Sequence, residues 1–356
     1  MPVSEMFEPM LAKNGDDAKS SSKHAGARRR AGSRQHTAQR HSVFIDGEAG
    51  TTGLEIRKRL AEIAEISVLS IDEAKRKVPE ERLKLMSAAS LVVLCLPDKS
   101  SDAADAEISA AEAAVARLDA LGKDGPRVID ASSAHRLAEG WVYGFPELGH
   151  KQAAAINTAR KVSNPGCYPT GAIALLAPLI GADLIPADYP VTINAVSGYS
   201  GGGRKMIEAY EAGTAPLFEM YGLGLEHKHT PEIEKYSGLT RRPLFVPSVG
   251  NFRQGMLVSV PLHLDALPGK PKLADLEAVL VKHYAGSPLV SVVPNASKAT
   301  GGRIDALKLA GTDKLELYVF GAEARRQAVL TARLDNLGKG ASGAAVQNIK
   351  LMLGLA

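Results

Sequence analysis

The sequence has little cysteine, two residues (Cys95 and Cys167) in 356. That scarcity excludes a disulfide framework and makes reduced thiols in a cytoplasmic compartment the expectation. No run of about 18 apolar residues occurs, so no segment is expected to span a bilayer. The N-terminal stretch also lacks the apolar core of a secretory signal. Internal repeats are absent. Most of the chain has no charge excess: residues 1–42 hold eight basic and four acidic side chains, which leaves 35 of each sign in 43–356. The body therefore has no global electrostatic reason to hold nucleic acid. Residues 1–41, basic and rich in Ser, Ala and Gly, read as a disordered tail, and their four acids argue against an organelle transit peptide.

The chain does have the composition of a globular protein, 45% hydrophobic and 23% charged, at a length that allows about two domains. SVFID (42–46) is a β-rich run followed by Gly47, Gly50 and Gly53, then LEIRKRLAEI with helical spacing. ISVLSI (66–71), LVVLCLP (91–97) and RVIDAS (127–132) read as further strands, and the Ala-rich stretch 102–121 as a helix. Continuous apolar strands alternating with helices predict a Rossmann-type, doubly wound parallel sheet over 42–167. Beyond Cys167 the texture changes. TGAIALLAPLI (170–180) reads as a buried helix. Residues 189–198, 244–249, 256–264, 289–294 and 315–321 look like longer strands carrying polar residues. This predicts an α+β domain over 168–335 with a mostly antiparallel sheet. A last helix, within 336–356, is expected to return to the first domain.

Gly47-x-x-Gly50-x-x-Gly53 joins the first strand to the first helix, where small residues let backbone N–H groups approach a pyrophosphate and Thr51 and Thr52 add hydroxyls. A tight turn that binds nothing would show the same glycines. At the end of the second strand, Asp72 stands where a ribose hydroxyl would be held, whereas Ser70, Lys75, Arg76 and Lys77 would suit a 2′-phosphate. Cys167 sits in SNPGCYPTG (163–171), a turn leading into a helix whose N-terminus would favour a thiolate; the alternative is a buried structural cysteine. Cys95, mid-strand, reads as core. His227 and His229, in EHKHTPEIEKY (226–236), are candidate proton partners. In extended backbone only one of them could face the thiol, and a surface pair or a metal site with too few further ligands are the other readings. SGYSGGGRKM (197–206) is a second small-residue loop, with Gly201 where a planar ring could lie near a thioester. Arg204, Arg136 and Arg253 are candidates for carboxylate or phosphate contacts. Asn336 and Lys339 stand in a Gly/Ser-rich loop that either returns to a cofactor or caps the last helix.

Together FIDGEAGTTGLEI, LCLPD, DASSAHR, WVYGFPEL, SNPGCYPTG, VSGYSGGGRKM, HKHTPE, QGMLV and DNLGKGASGAAVQN resemble the N-acetyl-γ-glutamyl-phosphate reductases of arginine biosynthesis, in the shorter of their two subfamilies. The likeness runs from about Ser42 to the C-terminus and is most specific in SNPGCYPTG with HKHTPE. It implies a thiolate nucleophile at Cys167 that forms a thioester, and a histidine acid/base at His229 in preference to His227. It also implies NADP in the Gly47–Gly53 loop with its phosphate near Ser70 and Arg76, and Asn336 beside the cofactor. The substrate implied is an acyl phosphate, N-acetyl-γ-glutamyl phosphate, reduced to the semialdehyde by a homodimer or homotetramer, with no metal, nucleic acid or membrane partner. An enzyme like aspartate-semialdehyde dehydrogenase, or a non-catalytic NADPH-binding sensor, would share the fold; HKHTPE counts against the first and the Cys/His pair against the second.

Overall fold

The computed structural model describes residues 40–97 and 109–355. The expected tail falls almost wholly on residues outside that range, as does the first part of the helix expected over 102–121.

Strands β1 (His41–Asp46), β2 (Ile66–Leu69), β3 (Leu91–Leu94), β4 (Arg127–Asp130), β5 (Val142–Tyr143) and β6 (Lys161–Ser163) form one sheet in the order β2-β1-β3-β4-β6-β5, parallel throughout. The unbroken apolar runs have their reason in burial on both faces. Along β1, Val43 and Ile45 face one core while Phe44 faces another; along β3, Leu91 and Val93 oppose Val92 and Leu94 in the same way. The first core is closed by α1 (Thr51–Leu60), α4 (Gln152–Thr158) and α10 (Gly343–Met352), through Ile56, Leu60, Ile156 and Ile349. The second is closed by α2 (Pro79–Ala88) and α3 (Ala110–Asp119), through Met86, Ala114 and Leu118. Helices on both faces make the sheet doubly wound, as expected. Helix α3 starts where Ser109 and Glu112 form a reciprocal capping box.

The second sheet contains β7 (Thr192–Gly198), β8 (Phe218–Met220), β9 (Leu244–Gly250), β10 (Met256–His263), β11 (Val290–Val292), β12 (Leu315–Ala322) and β13 (Gln327–Leu334), in the order β11-β12-β13-β10-β7-β9-β8. Four of its six pairings are antiparallel, the exceptions being β11–β12 and β7–β9. Its inner face carries Ala195, Phe245, Val258, Leu317 and Leu330 and packs on α5 (Cys167–Gly181), nearly every residue of which is buried, and on α8 (Leu273–His283). After β13 the chain makes a π-turn over 338–342 before α10. Strands β5 and β6 and helix α4 have no counterpart in the expected elements, being two, three and seven residues long.

Candidate active site

Asn164-Pro165-Gly166 turns the chain out of β6, and α5 begins at Cys167 itself with Gly166 as its N-cap. The sulfur therefore stands on the first residue of a 15-residue helix, and the Tyr168 amide hydrogen-bonds it. Its rear is closed by the π-turn: a side chain on Gly340 would lie 2.9 Å from the Cys167 Cβ. The front opens on a cavity of about 210 Å³, lined among others by Ser197, Gly201, Tyr221, His227, Lys228 and His229.

Both histidines reach that cavity. The expectation that only one could do so assumed extended backbone; instead the Thr230 amide donates to the His227 carbonyl at 2.9 Å, a turn that brings the ring centroids to 4.9 Å. His229 is the N-cap residue of α7 (Thr230–Ser237), with Pro231 in the first turn. Its Nε2 would lie 2.7 Å from a Cβ on Gly166, the residue before the nucleophile, and its Nδ1 is buried without a partner among the described residues. The His229 amide donates to His227 Nδ1 at 3.1 Å, so a neutral His227 carries its proton on Nε2. Burial holds the His229 pKa well below the usual 6.5, helped by Arg136 and His227. Burial also pulls His227 down to about 4. Both rings are neutral bases at pH 7.

The thiol departs from expectation. Burial pushes Cys167 up to about 11, outweighing the Tyr168 amide and the Arg136 charge that favour the thiolate. The helix starts at Cys167 itself, three residues ahead of the 170–180 run expected to form it, but the resting sulfur is a thiol. Cys95 lies just past the end of β3 and is likewise raised by burial.

One carboxylate ties nucleophile to base. Glu232, fully buried three residues along α7 from His229, accepts the Gly166 amide at 2.8 Å and the Tyr143 hydroxyl at 2.7 Å on Oε1, and pairs with Arg136 at 3.0 Å on Oε2. Arg136 also donates to the Asn164 carbonyl at 3.0 Å. Nothing in the local sequence singles out Glu232 beyond its spacing of three from His229.

The three expected anion-binding arginines separate. Arg136 lies beside Cys167 but is buried and engaged by Glu232. Arg253 is not at the cavity: its guanidinium pairs with Glu211 on the surface at 2.8 Å, while its backbone carbonyl holds the 197–203 loop by accepting the Ser200 amide. Arg204 also points elsewhere, to the Ala49 carbonyl at 2.8 Å. The cation that lines the cavity is Lys228. Asn336 is buried behind Gly201, donating to the Ser200 hydroxyl at 2.8 Å and accepting the Gly255 amide at 3.0 Å. Lys339 is buried in an ion pair with Glu147 at 2.8 Å, so its loop seats α10 and backs Cys167.

The glycine loop has the form of a dinucleotide cradle. Gly47 has φ +90°, and a Cβ there would collide with the Cys95 carbonyl; one on Gly53 would lie 2.8 Å from the Glu48 Cα. Thr51, Thr52 and Gly53 open α1, which places three amides without intrahelical acceptors at the loop. Beside it a cleft of about 750 Å³ is lined by Gly47, Glu48, Ala49, Ile71, Arg76, Lys77 and Pro97. Arg76 lies between Glu48 (4.0 Å) and Glu73 (3.5 Å), with its Nε buried and without a partner among the described residues. Asp72 caps the following turn by accepting the Ala74 amide, and Ser70 is exposed beyond β2 outside that lining. Among the described residues no group of three or more His, Cys, Asp or Glu could hold a metal ion, and no helix is long and apolar enough to cross a membrane.

Comparison with known proteins agrees with this geometry. Residues 42–156 match the family model for the semialdehyde dehydrogenase NAD-binding domain, and residues 167–336 that for the semialdehyde dehydrogenase dimerisation domain. Proteins named N-acetyl-gamma-glutamyl-phosphate reductase from Brucella ovis and Brucella canis are each 52% identical over 317 residues, 88% of this chain and 98% of theirs. Solved structures of similar fold include aspartate semialdehyde dehydrogenase II from Vibrio cholerae in complex with ASA (TM-score 0.61, 14% identity, 89% of this chain and 99% of that one). Another is aspartate semialdehyde dehydrogenase with NADP from Candida albicans (TM-score 0.54, 13% identity, 88% and 98%). At such identities the likeness is one of fold.

Proposed function

Because the chain belongs to the family of N-acetyl-gamma-glutamyl-phosphate reductases, we propose that it reduces N-acetyl-γ-glutamyl phosphate to N-acetyl-L-glutamate 5-semialdehyde and phosphate, with NADPH, in arginine biosynthesis. The observation that carries this reading is the helix-tip thiol and the neutral His229 in one cavity, beside a dinucleotide cradle. In this reading His229 takes the Cys167 proton as the sulfur attacks the acyl carbon; the acyl–oxygen bond breaks, phosphate departs and a thioester remains. The Tyr168 amide steadies the sulfur, and the start of α5 places partial positive charge near the oxygen that becomes negative. Lys228 balances the charge of the phosphate or carboxylate. Gly47, Gly50, Thr51, Thr52 and Gly53 hold the cofactor's diphosphate, and Arg76 with Lys77 its 2′-phosphate. Gly201, backed by Asn336, leaves room for the ring. NADPH, when bound, supplies the hydride. His229 returns its proton to sulfur as the carbon–sulfur bond breaks, and His227 orients it through the bond to its amide.

The domain partition at 42–167, 168–335 and 336–356 belongs to the same reading. So does assembly as a homodimer or homotetramer across the outer face of the second sheet, where Leu244 and Val329 are exposed opposite the face covered by α5. The cytoplasm is proposed as the compartment, in keeping with two free thiols. The test runs the reaction in reverse: with phosphate and NADP⁺, N-acetylglutamate semialdehyde is oxidised far faster than aspartate semialdehyde, and Cys167→Ser binds NADPH without turnover. Preference for aspartate semialdehyde, or a fully active Cys167→Ser, would overturn it.

A further inference from the structure

Arg204 stands in neither the nucleotide cleft nor the Cys167 cavity but at the seam between them, and we infer that it is a clamp on the dinucleotide's diphosphate, reaching across from the second lobe. It is the first residue of α6 (Arg204–Glu211), and its Nη2 donates to the carbonyl of Ala49, inside the glycine loop, at 2.8 Å. Ala49 lines the nucleotide cleft; Gly201 and Gly202, in the turn just before Arg204, line the cavity. That turn is held in place by Asn336 on the Ser200 hydroxyl and by the Phe252 and Arg253 carbonyls, which accept the Tyr199 and Ser200 amides at 2.9 and 3.1 Å. Gly203, at φ +76°, then turns the chain into α6.

This inference rests on the reading that NADP occupies the cradle. A dinucleotide running from the cleft to Cys167 must pass the start of α1, where the diphosphate of such cofactors lies, and Arg204 is already bonded to that loop. The only acid in the loop, Glu48, does not compete for Arg204, since it pairs with Arg57 and Arg76. A guanidinium has five donors and the Ala49 carbonyl engages one nitrogen; an anionic phosphate oxygen is the stronger acceptor and suits the planar fork. The bonding partner thus changes from carbonyl to diphosphate when the cofactor arrives.

The experiment is a fluorescence titration of the full chain with NADPH, for wild type, Arg204→Gln and Arg204→Lys. Adenosine 2′,5′-bisphosphate, which keeps the adenosine end and its 2′-phosphate but carries a single terminal 5′-phosphate in place of the diphosphate bridge, serves as the second ligand. Arg204→Gln should weaken NADPH by about ten- to a hundredfold, the worth of a charge-assisted hydrogen bond, with Arg204→Lys in between. The bisphosphate should be affected much less, and the acyl-phosphate KM at saturating NADPH should not move. Unchanged NADPH affinity, an equal loss for both ligands, or an effect confined to the acyl-phosphate KM would each overturn the clamp. Failure of the wild type itself to bind NADPH would instead strike the cofactor reading.

Discussion

The reactivity of Cys167 toward a small alkylating agent follows directly from its surroundings. An ordinary thiol near 9 is raised here to about 11 because the sulfur is withdrawn from water, and neither the Tyr168 amide nor the Arg136 charge makes up the difference. Near pH 7.5 about one Cys167 in three thousand is then ionised, against about one in thirty for the ordinary thiol, a hundredfold difference in reactive species. Iodoacetamide modification of the free protein, followed by mass spectrometry so that Cys95 and Cys167 are scored separately, should give a Cys167 rate that climbs about tenfold per pH unit through pH 9 and levels only toward 11. Cys95 should lag further behind, since the Asp130 and Asp46 carboxylates beside it add to the effect of burial. A Cys167 rate already level at pH 7.5 would refute the reasoning, because it would mean that the helix start and Arg136 outweigh burial after all.

Three further outcomes are expected. Glu232→Gln keeps acceptors for the Gly166 amide and the Tyr143 hydroxyl but strands Arg136 as a buried charge. It should destabilise the fold by about 3 kcal/mol in urea titrations and move the Cys167 alkylation midpoint down, because Glu232 raises and Arg136 lowers that thiol; a midpoint at or above wild type contradicts this. Gly53→Ala puts a Cβ against the Gly47 and Glu48 backbone, a strain of about 1–3 kcal/mol, and should raise the NADPH KM while leaving that of the acyl phosphate alone. Both histidines have depressed folded-state pKa values, so the unfolded chain binds more protons below its own value of 6.5. Their contribution to stability is therefore whole above about pH 6.5 and is lost as pH falls below it, for His227 toward about 4. The urea midpoint should drop over that window, less steeply in a His227→Asn/His229→Asn variant, and an equal slope in the two proteins would count against it.

What the residues disclosed in advance was whatever depends on local pattern. Strands β1, β3 and β4 announce themselves because a sheet covered on both faces favours unbroken apolar runs, and the glycine loop because two of its three positions have no space for a Cβ. The destinations of long polar side chains do not follow from local pattern. Arg136, Arg204 and Arg253 look alike as isolated arginines, yet one is buried against a glutamate 96 residues away, one crosses to a carbonyl 155 residues away and one pairs with Glu211 at the surface. Glu232 was overlooked for the same reason: its value lies in meeting Gly166 from another helix. The alternation argument about His227 and His229 failed on a single turn hydrogen bond, which sequence spacing does not reveal.

The two shifted groups at the centre are best understood as a pair. Taken alone, each resists charging for the same cause, withdrawal from water: the thiol sits at about 11 and the imidazole of His229 below 6.5. Moving the proton from sulfur to His229 creates both charges together, and their attraction offsets part of the penalty. For charges about 4 Å apart in an effective dielectric of about 20, that attraction is about 4 kcal/mol, or about three pK units. The gap between the groups exceeds four, so the neutral thiol–imidazole pair wins at rest and the ion pair is a minor state, reached as the acyl carbon comes within bonding distance. The raised thiol has a second consequence. A more basic sulfur is a better nucleophile once ionised, by about tenfold over two pK units, but a poorer leaving group in the same measure. Release of the aldehyde therefore depends on a proton delivered to sulfur, and His229, an acid once protonated in this apolar setting, is built into the cavity to deliver it.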